Sequence, residues 1–255
     1  MIHSTAIIDP SATLADDVEI GPFSIIGPDV VIGPGCRIES HVVIKGPTTI
    51  GANNRFFQFC SIGEECQDKK YKGEPTRLVI GDNNVFRESV TVHRGTAQDK
   101  WSTFIGSDNL LMAYSHVAHD CEIGSHCILA NGATLAGHVT MGDHAIIGGL
   151  AAVHQFCNLG AHSMVGGMTA VSMDIVAYAI ANGNPAHLHG LNVVGLKRRG
   201  FSADAVATLR DAYKVVFRSN LKLAESIAEL EQRPPSDELQ LFIDSLKRAE
   251  RGITR

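Results

Sequence analysis

Large apolar side chains recur every six residues along most of this chain, and no other feature restricts its fold as much. They fall at Ile8, Leu14, Ile20, Ile26, Ile32, Ile38, Ile44, Ile50, Phe56 and Ile62. After a break the register returns at Ile80, Phe86 and Val92. After a second break it runs through Ile105, Leu111, Val117, Ile123, Leu129, Leu135, Met141, Ile147, Val153, Leu159, Val165 and Val171. A helix needs apolar neighbours at i+3, i+4 and i+7, so a sustained period of six with Gly, Asp and Asn at fixed offsets indicates short strands joined by turns. Each hexad is then one face of a coil, and three hexads close a turn of a parallel β-helix. About eight coils stacked at about 4.8 Å make a prism roughly 40 Å tall.

The cysteines fit the same frame. Cys36, Cys60, Cys66, Cys121, Cys127 and Cys157 each stand four residues after a member of the series. Side chains alternate with period two along a strand, so all six are expected to point inward, where other coils carry Ser24, Ala133 or Ala145. They read as small core side chains, not as disulfides, metal ligands or an acyl-enzyme nucleophile.

The period is lost twice, over about 64–77 and about 94–103, and these segments are expected to be extruded loops that carry binding groups. It fades after Val171, and beyond Gly195 the composition becomes helical. Ser202 can cap a helix running to about Ser219, with Leu209, Tyr213, Val216 and Phe217 on one face. A second helix is predicted over Leu221 to Gln232. Pro234-Pro235 breaks the chain, and Ser236 opens a third helix packing Leu239, Phe242, Ile243 and Leu246. The expected division is a β-helix over 1–190 and an α-helical C-terminal domain over 191–255.

Composition excludes some classes of function. A net charge of −5 gives no case for nucleic acid. The longest apolar run, Ala145 to Val153, contains two glycines and falls far short of the roughly 18 residues of a membrane span. No basic, then apolar leader follows Met1, so the protein is expected to be cytoplasmic, with no membrane insertion.

The repeat also sorts the twelve histidines. His126, His144 and His162 are 18 apart, each two residues after a glycine, and read as a ladder of corner residues without chemistry. His116, His119, His138, His154 and Gln155 flank Val117, Leu135 and Val153, so they rise along one edge on three successive coils at unequal offsets. Repetition does not produce that pattern, and a proton-transfer site does. Two chemistries fit it: zinc held by histidines of neighbouring coils and subunits, or one histidine acting as general base beside a carboxylate such as Asp120.

With these residues assembled, the sequence resembles a known family. The hexads, His116-Val117-Ala118-His119-Asp120-Cys121, Leu135-Ala136-Gly137-His138-Val139, Ala152-Val153-His154-Gln155-Phe156-Cys157 and Gly195-Leu196-Lys197-Arg198-Arg199-Gly200-Phe201 together resemble the UDP-N-acetylglucosamine O-acyltransferases of lipid A synthesis. The resemblance covers essentially the whole chain. It implies a left-handed parallel β-helix, a homotrimer with sites between subunits, and transfer of a 3-hydroxyacyl group from acyl carrier protein to the glucosamine 3-hydroxyl of UDP-N-acetylglucosamine. No metal or other cofactor is implied, since the acyl group arrives on the phosphopantetheine of acyl carrier protein.

Residue by residue, the match makes His119 the general base and Gly137, through its N–H, the oxyanion donor. His116, His138, His154 and Gln155 match the lining of the sugar and acyl site, and Gln67, Asp68 and Lys70 a substrate-contacting loop. Asn192, Arg198 and Arg199 match nucleotide contacts. The family leads one to expect an acidic residue where Val194 stands. Gly167 matches the position that limits acyl-chain length, and a glycine there leaves room for a longer chain. Asp120 is the candidate to orient His119, although strand alternation would turn adjacent side chains apart. Arg210, Lys214 and Arg218, four apart on one predicted helix face, are the expected docking surface for an acidic acyl carrier protein.

Overall fold

Ile8 pairs with Ile26, Val117 with Leu135 and Leu135 with Val153, so each coil lies in register on the one before. The structure is a computed structural model describing all 255 residues. Three parallel sheets of nine, eight and ten strands form the faces of a prism, and consecutive strands fall on different faces. The exception is the antiparallel strand His187–Leu191, which closes the ten-stranded face against Ala179–Asn182. This is a left-handed parallel β-helix.

Most strands are two residues long, which follows from the hexad: the first side chain faces out and the second is the series aliphatic facing in. Ile26, Ile44, Phe56, Phe86, Leu111, Leu129 and Val165 are fully buried. Each such side chain contributes on the order of 1.5–3 kcal/mol by leaving water. Cys36, Cys60, Cys121, Cys127 and Cys157 belong to this core as expected. Cys66 does not. It follows the strand Ser61–Glu64, where the chain has already left the coil for the first loop, so the six-residue count no longer fixes its direction.

The corners are tight, and many hold a non-glycine residue in the left-handed region, among them Asp120, His126, His138, His144, Phe156 and His162. That conformation costs roughly 1–2 kcal/mol per residue. The N–H of the strained residue donates to the coil beneath: His138 to the His119 carbonyl at 3.0 Å, and His162 to that of Asp143 at 2.8 Å. The residue just before it makes no such bond. In three corners that place is proline (Pro22, Pro28, Pro34), which has no N–H to leave unpaired.

Two loops leave the prism, 65–76 and 94–101, close to the expected bounds. Arg94, 8% exposed, ties them together: its guanidinium donates to the Gly46 carbonyl and, at 3.0 Å, to the Tyr71 hydroxyl of the first loop.

Strand gives way to helix at Asn192, which caps a short helix not foreseen from the sequence, α1 (Val193–Arg198). Ser202 caps α2 (Ala203–Phe217), accepting from the Ala205 N–H at 3.0 Å. Its buried face is Val206, Leu209, Ala212, Val215 and Val216; Tyr213 and Phe217, expected beside Leu209, are only half-buried. α3 (Leu223–Glu231) and α4 (Asp237–Lys247) follow, and Leu239, Phe242, Ile243 and Leu246 of α4 are buried as expected. α4 returns to the prism, where Ser245 Oγ accepts from the Ala177 N–H at 3.0 Å. No helix is long and apolar enough to cross a membrane.

Candidate active site

The corner after the strand His116–Val117 carries Ala118-His119-Asp120, and one coil on, Ala136-Gly137-His138 occupies the same three places. His119 therefore stands directly beneath Gly137. A Cβ on Gly137 would lie 2.5 Å from His119 Cε1 and 2.7 Å from Nε2, so the imidazole fills the space where the next coil would otherwise carry a side chain. Gly137 also sits at the place that other corners give to proline, and its N–H donates to no acceptor in the chain.

His119 Nδ1 lies 2.9 Å from Asp120 Oδ2. Strand alternation does not apply here, because Asp120 is a corner residue with φ 58° and not part of a strand; the left-handed turn swings its carboxylate back beneath its neighbour's ring. That corrects the expectation of diverging side chains. The carboxylate is fully buried and also accepts from Thr96 N–H (2.9 Å), Thr96 Oγ1 (2.6 Å) and Lys100 N–H (3.3 Å) of the second loop. Burial by itself would raise its pKa; the hydrogen bonds from His119 and Thr96 prevail and hold it below the ordinary carboxylate value. An ionised Asp120 fixes the proton of neutral His119 on Nδ1 and leaves Nε2 free to accept another.

The other edge residues divide. His138 packs edge-on against His119, ring centroids 4.9 Å apart, and lies flat on Phe156 at 4.2 Å. Its Nδ1 is 2.6 Å from Asp99 Oδ2, a residue of the second loop that nothing in the repeat singles out. His116 Nδ1 is 2.7 Å from the Thr91 hydroxyl and its ring meets His93 edge-on. Burial, and then the charge of His119, lower the pKa of His116; burial drives that of His93 down to about 4. Thr91 pairs with His116 in register, a relation hidden in the sequence by the second loop. His154 and Gln155 are exposed. The ligand atoms of His119, Asp120 and His138 lie within 4.8 Å of one another, and these are the residues that could hold a metal ion.

The remaining candidates lie elsewhere. Gln67 and Lys70 are exposed on the first loop, where Asp68 Oδ1 accepts from the Lys70 N–H at 2.9 Å. Arg199 reaches the His144 carbonyl at 2.8 Å and Asn192 that of His162 at 3.1 Å, so they border the histidine ladder at a different corner of the prism. The ladder is real: His126, His144 and His162 stack with centroids 4.7 Å apart. Asn192 is buried, its oxygen capping α1 at the Gly195 N–H. Arg198 is exposed, and Arg199 Nη1 is buried without a partner. Gly167 is exposed at the third corner. Arg210 and Arg218 are exposed and unpaired, whereas the Lys214 ammonium is 2.8 Å from Asp211.

Comparison with known proteins bears on the whole chain. A family model described as UDP N-acetylglucosamine O-acyltransferase, domain 2, matches residues 174–254, and one for bacterial transferase hexapeptide repeats matches 11–46 and 102–137. An acyl-(acyl-carrier-protein)–UDP-N-acetylglucosamine O-acyltransferase of Stutzerimonas stutzeri is 56% identical, covering 100% of this chain and 99% of its own. Among solved structures, the UDP-N-acetylglucosamine O-acyltransferase of Moraxella catarrhalis superimposes with a TM-score of 0.96 at 48% identity, over 100% of this chain and 99% of that one. The UDP-N-acetylglucosamine acyltransferase of Arabidopsis does so at 0.87 and 33%, over 100% of each. With identity this high from end to end, and a histidine–carboxylate pair beneath a bare glycine amide, the chain belongs to the UDP-N-acetylglucosamine O-acyltransferase family.

Proposed function

We propose that this protein moves a 3-hydroxyacyl group from acyl carrier protein onto the glucosamine 3-hydroxyl of UDP-N-acetylglucosamine, with His119 as general base. The observation that carries the reading is the His119–Asp120 pair with Nε2 unpaired beside the free Gly137 N–H. A sugar hydroxyl is too weak an acid to attack a thioester unaided. Nε2 takes its proton as the oxygen bonds to the thioester carbon, and Asp120 stabilises the imidazolium that forms. The Gly137 amide faces the developing oxyanion. The carbon–sulfur bond then breaks, and Nε2 returns the proton to the phosphopantetheine sulfur. The steps use only side chains and backbone, which distinguishes them from a zinc hydratase reaction at the same edge.

His116, His138, His154, Gln155, Gln67, Asp68 and Lys70 are assigned to the sugar and acyl chain. Arg198 and Arg199 are assigned to the nucleotide phosphates, the buried and unpaired Nη1 of Arg199 being a donor without an acceptor. Asn192 is assigned to the nucleotide as well, its side chain held in place by capping α1. On one chain the catalytic residues, Arg199 and Gly167 stand at three different corners of the prism, so a single site that uses all three needs more than one chain. That supports a homotrimer with sites between subunits. Residues 1–190 are the scaffold, and 191–255 supply the nucleotide contacts and the carrier-protein surface. The reaction belongs to the cytoplasm, where acyl carrier protein is charged.

The test is incubation with UDP-N-acetylglucosamine, or its 3-amino analogue, and 3-hydroxyacyl carrier proteins of graded length, followed by mass spectrometry. A sugar nucleotide heavier by one hydroxyacyl group is expected, with long chains preferred. No acylated product from any pairing, or a zinc-dependent hydration activity instead, overturns the reading.

A further inference from the structure

The geometry points to Asp99 as a positioning residue for the sugar-binding imidazole of His138, delivered by the second loop and seated by the same carboxylate that orients the catalytic base. The inference rests on the function proposed above.

Two carboxylates can reach the Nδ1 of His138. Asp99 Oδ2 lies at 2.6 Å and Asp120 Oδ2 at 4.0 Å. Asp120 is already fully engaged with His119, Thr96 and Lys100. Asp99 therefore supplies the acceptor that Asp120 cannot spare, at a separation typical of a charge-assisted hydrogen bond. Phe156 covers one face of the His138 ring, and its Nε2 makes no bond within the chain. With Nδ1 tied to Asp99, the free nitrogen of His138 points the same way in every molecule, ready for a hydroxyl or amide of the acceptor. Without Asp99, the nearest carboxylate for His138 is Asp120, and the two imidazoles compete for Oδ2.

The loop is braced for this purpose. Trp101 N–H returns to the Thr96 carbonyl at 3.0 Å, closing a turn whose tip carries Asp99. Lys100 spans from that turn to Glu122 at 3.1 Å. Asp120 thus holds the loop from below while Asp99 holds His138 from the loop, and the orientations of both imidazoles depend on one seat.

The experiment compares the intact enzyme with Asp99→Ala and Asp99→Asn. For Asp99→Ala we expect KM for UDP-N-acetylglucosamine to rise about tenfold, with KM for the acyl donor unchanged and kcat reduced less than threefold. Asp99→Asn, which keeps an oxygen acceptor, recovers most of the loss. The nitrogen-15 resonances of His138, assigned by their absence in His138→Gln, report a proton on Nδ1 in the parent and a mixture of tautomers in Asp99→Ala. An active parent with unchanged sugar KM and unchanged His138 resonances in Asp99→Ala overturns the inference alone. So does an equal loss in both KM values, which marks a collapsed loop. An inactive parent overturns the function on which it rests.

Discussion

His119 and Asp120 are neighbours in the chain, yet Nδ1 of one is 2.9 Å from Oδ2 of the other, because the left-handed corner at Asp120 folds its carboxylate back under the ring. Removing either partner separates two functions that the pair combines. His119→Ala deletes only the base, so kcat falls by about 10²–10⁴ while the melting temperature stays within a few degrees. Asp120→Ala also strands the Thr96 and Lys100 amides, at a cost of about 1–3 kcal/mol, and lowers both activity and melting temperature. Steady-state kinetics beside thermal melts distinguish the two; activity of His119→Ala within tenfold of the parent rejects the base.

The same pair makes stability depend on acid. The folded-state pKa of Asp120 is depressed, so its contribution is fully present above the unfolded value of about 4 and is lost as pH falls through the folded value. Melts of parent and Asp120→Ala recorded from pH 7 downward are expected to converge below about pH 4. A gap that stays constant with pH shows that Asp120 does not act through its charge.

A methyl group on Gly137 tests the packing of base against amide. The position has no left-handed strain, so alanine suits the backbone, but its Cβ would lie 2.5 Å from the His119 ring. The ring must turn away, and a displacement near 1 Å at a reacting group costs about 10² in rate. Gly137→Ala is expected to lose that much in kcat with nearly unchanged thermal stability. Full activity places the oxyanion elsewhere.

A simple titration tests whether cysteine chemistry takes part. Burial pushes the thiols of Cys60, Cys121 and Cys127 up to about 12 and that of Cys157 to about 11. An aromatic disulfide reagent at pH 8 should leave these four unmodified and the enzyme active until it is unfolded. Stoichiometric loss of activity with labelling of Cys121, the core cysteine closest to His119 in sequence, revives an acyl-enzyme.

On α2, Arg210 and Arg218 are exposed and unpaired, while Lys214 already has Asp211. Reversing both arginines to glutamate is expected to raise KM for acyl carrier protein about tenfold at low salt and to abolish its salt dependence; Lys214→Ala does much less. Equal KM values for parent and double variant discard the surface.

The coils, faces and inward residues were legible because a period of six survives nearly the whole chain. Counting weakens where the chain leaves the prism: Cys66 is buried but lies outside the main core cluster, and Thr91 is separated from its partner His116 by the second loop. The dyad is not legible from strand alternation, because Asp120 is a left-handed corner residue and not part of a strand. Asp99 carries no sequence signal, since its position comes from three hydrogen bonds to a carboxylate remote from it in the chain. Asn192, expected as a nucleotide contact, also caps α1, a role the repeat gives no sign of.

The place that proline takes in three corners and glycine takes at 137 has a wider meaning. Some coils arrive at that point with a backbone donor that finds no partner in the chain, at Gly137, Gly149 and Gly167 among others, while others pair it with a side chain, as Ser125 does with Asp143. Only one coil pair sets an imidazole beneath a glycine, His119 beneath Gly137, and there we propose the reaction centre. To relocate the chemistry along such a spine needs two side-chain changes and no change of backbone, which makes this architecture a readily re-addressed catalyst.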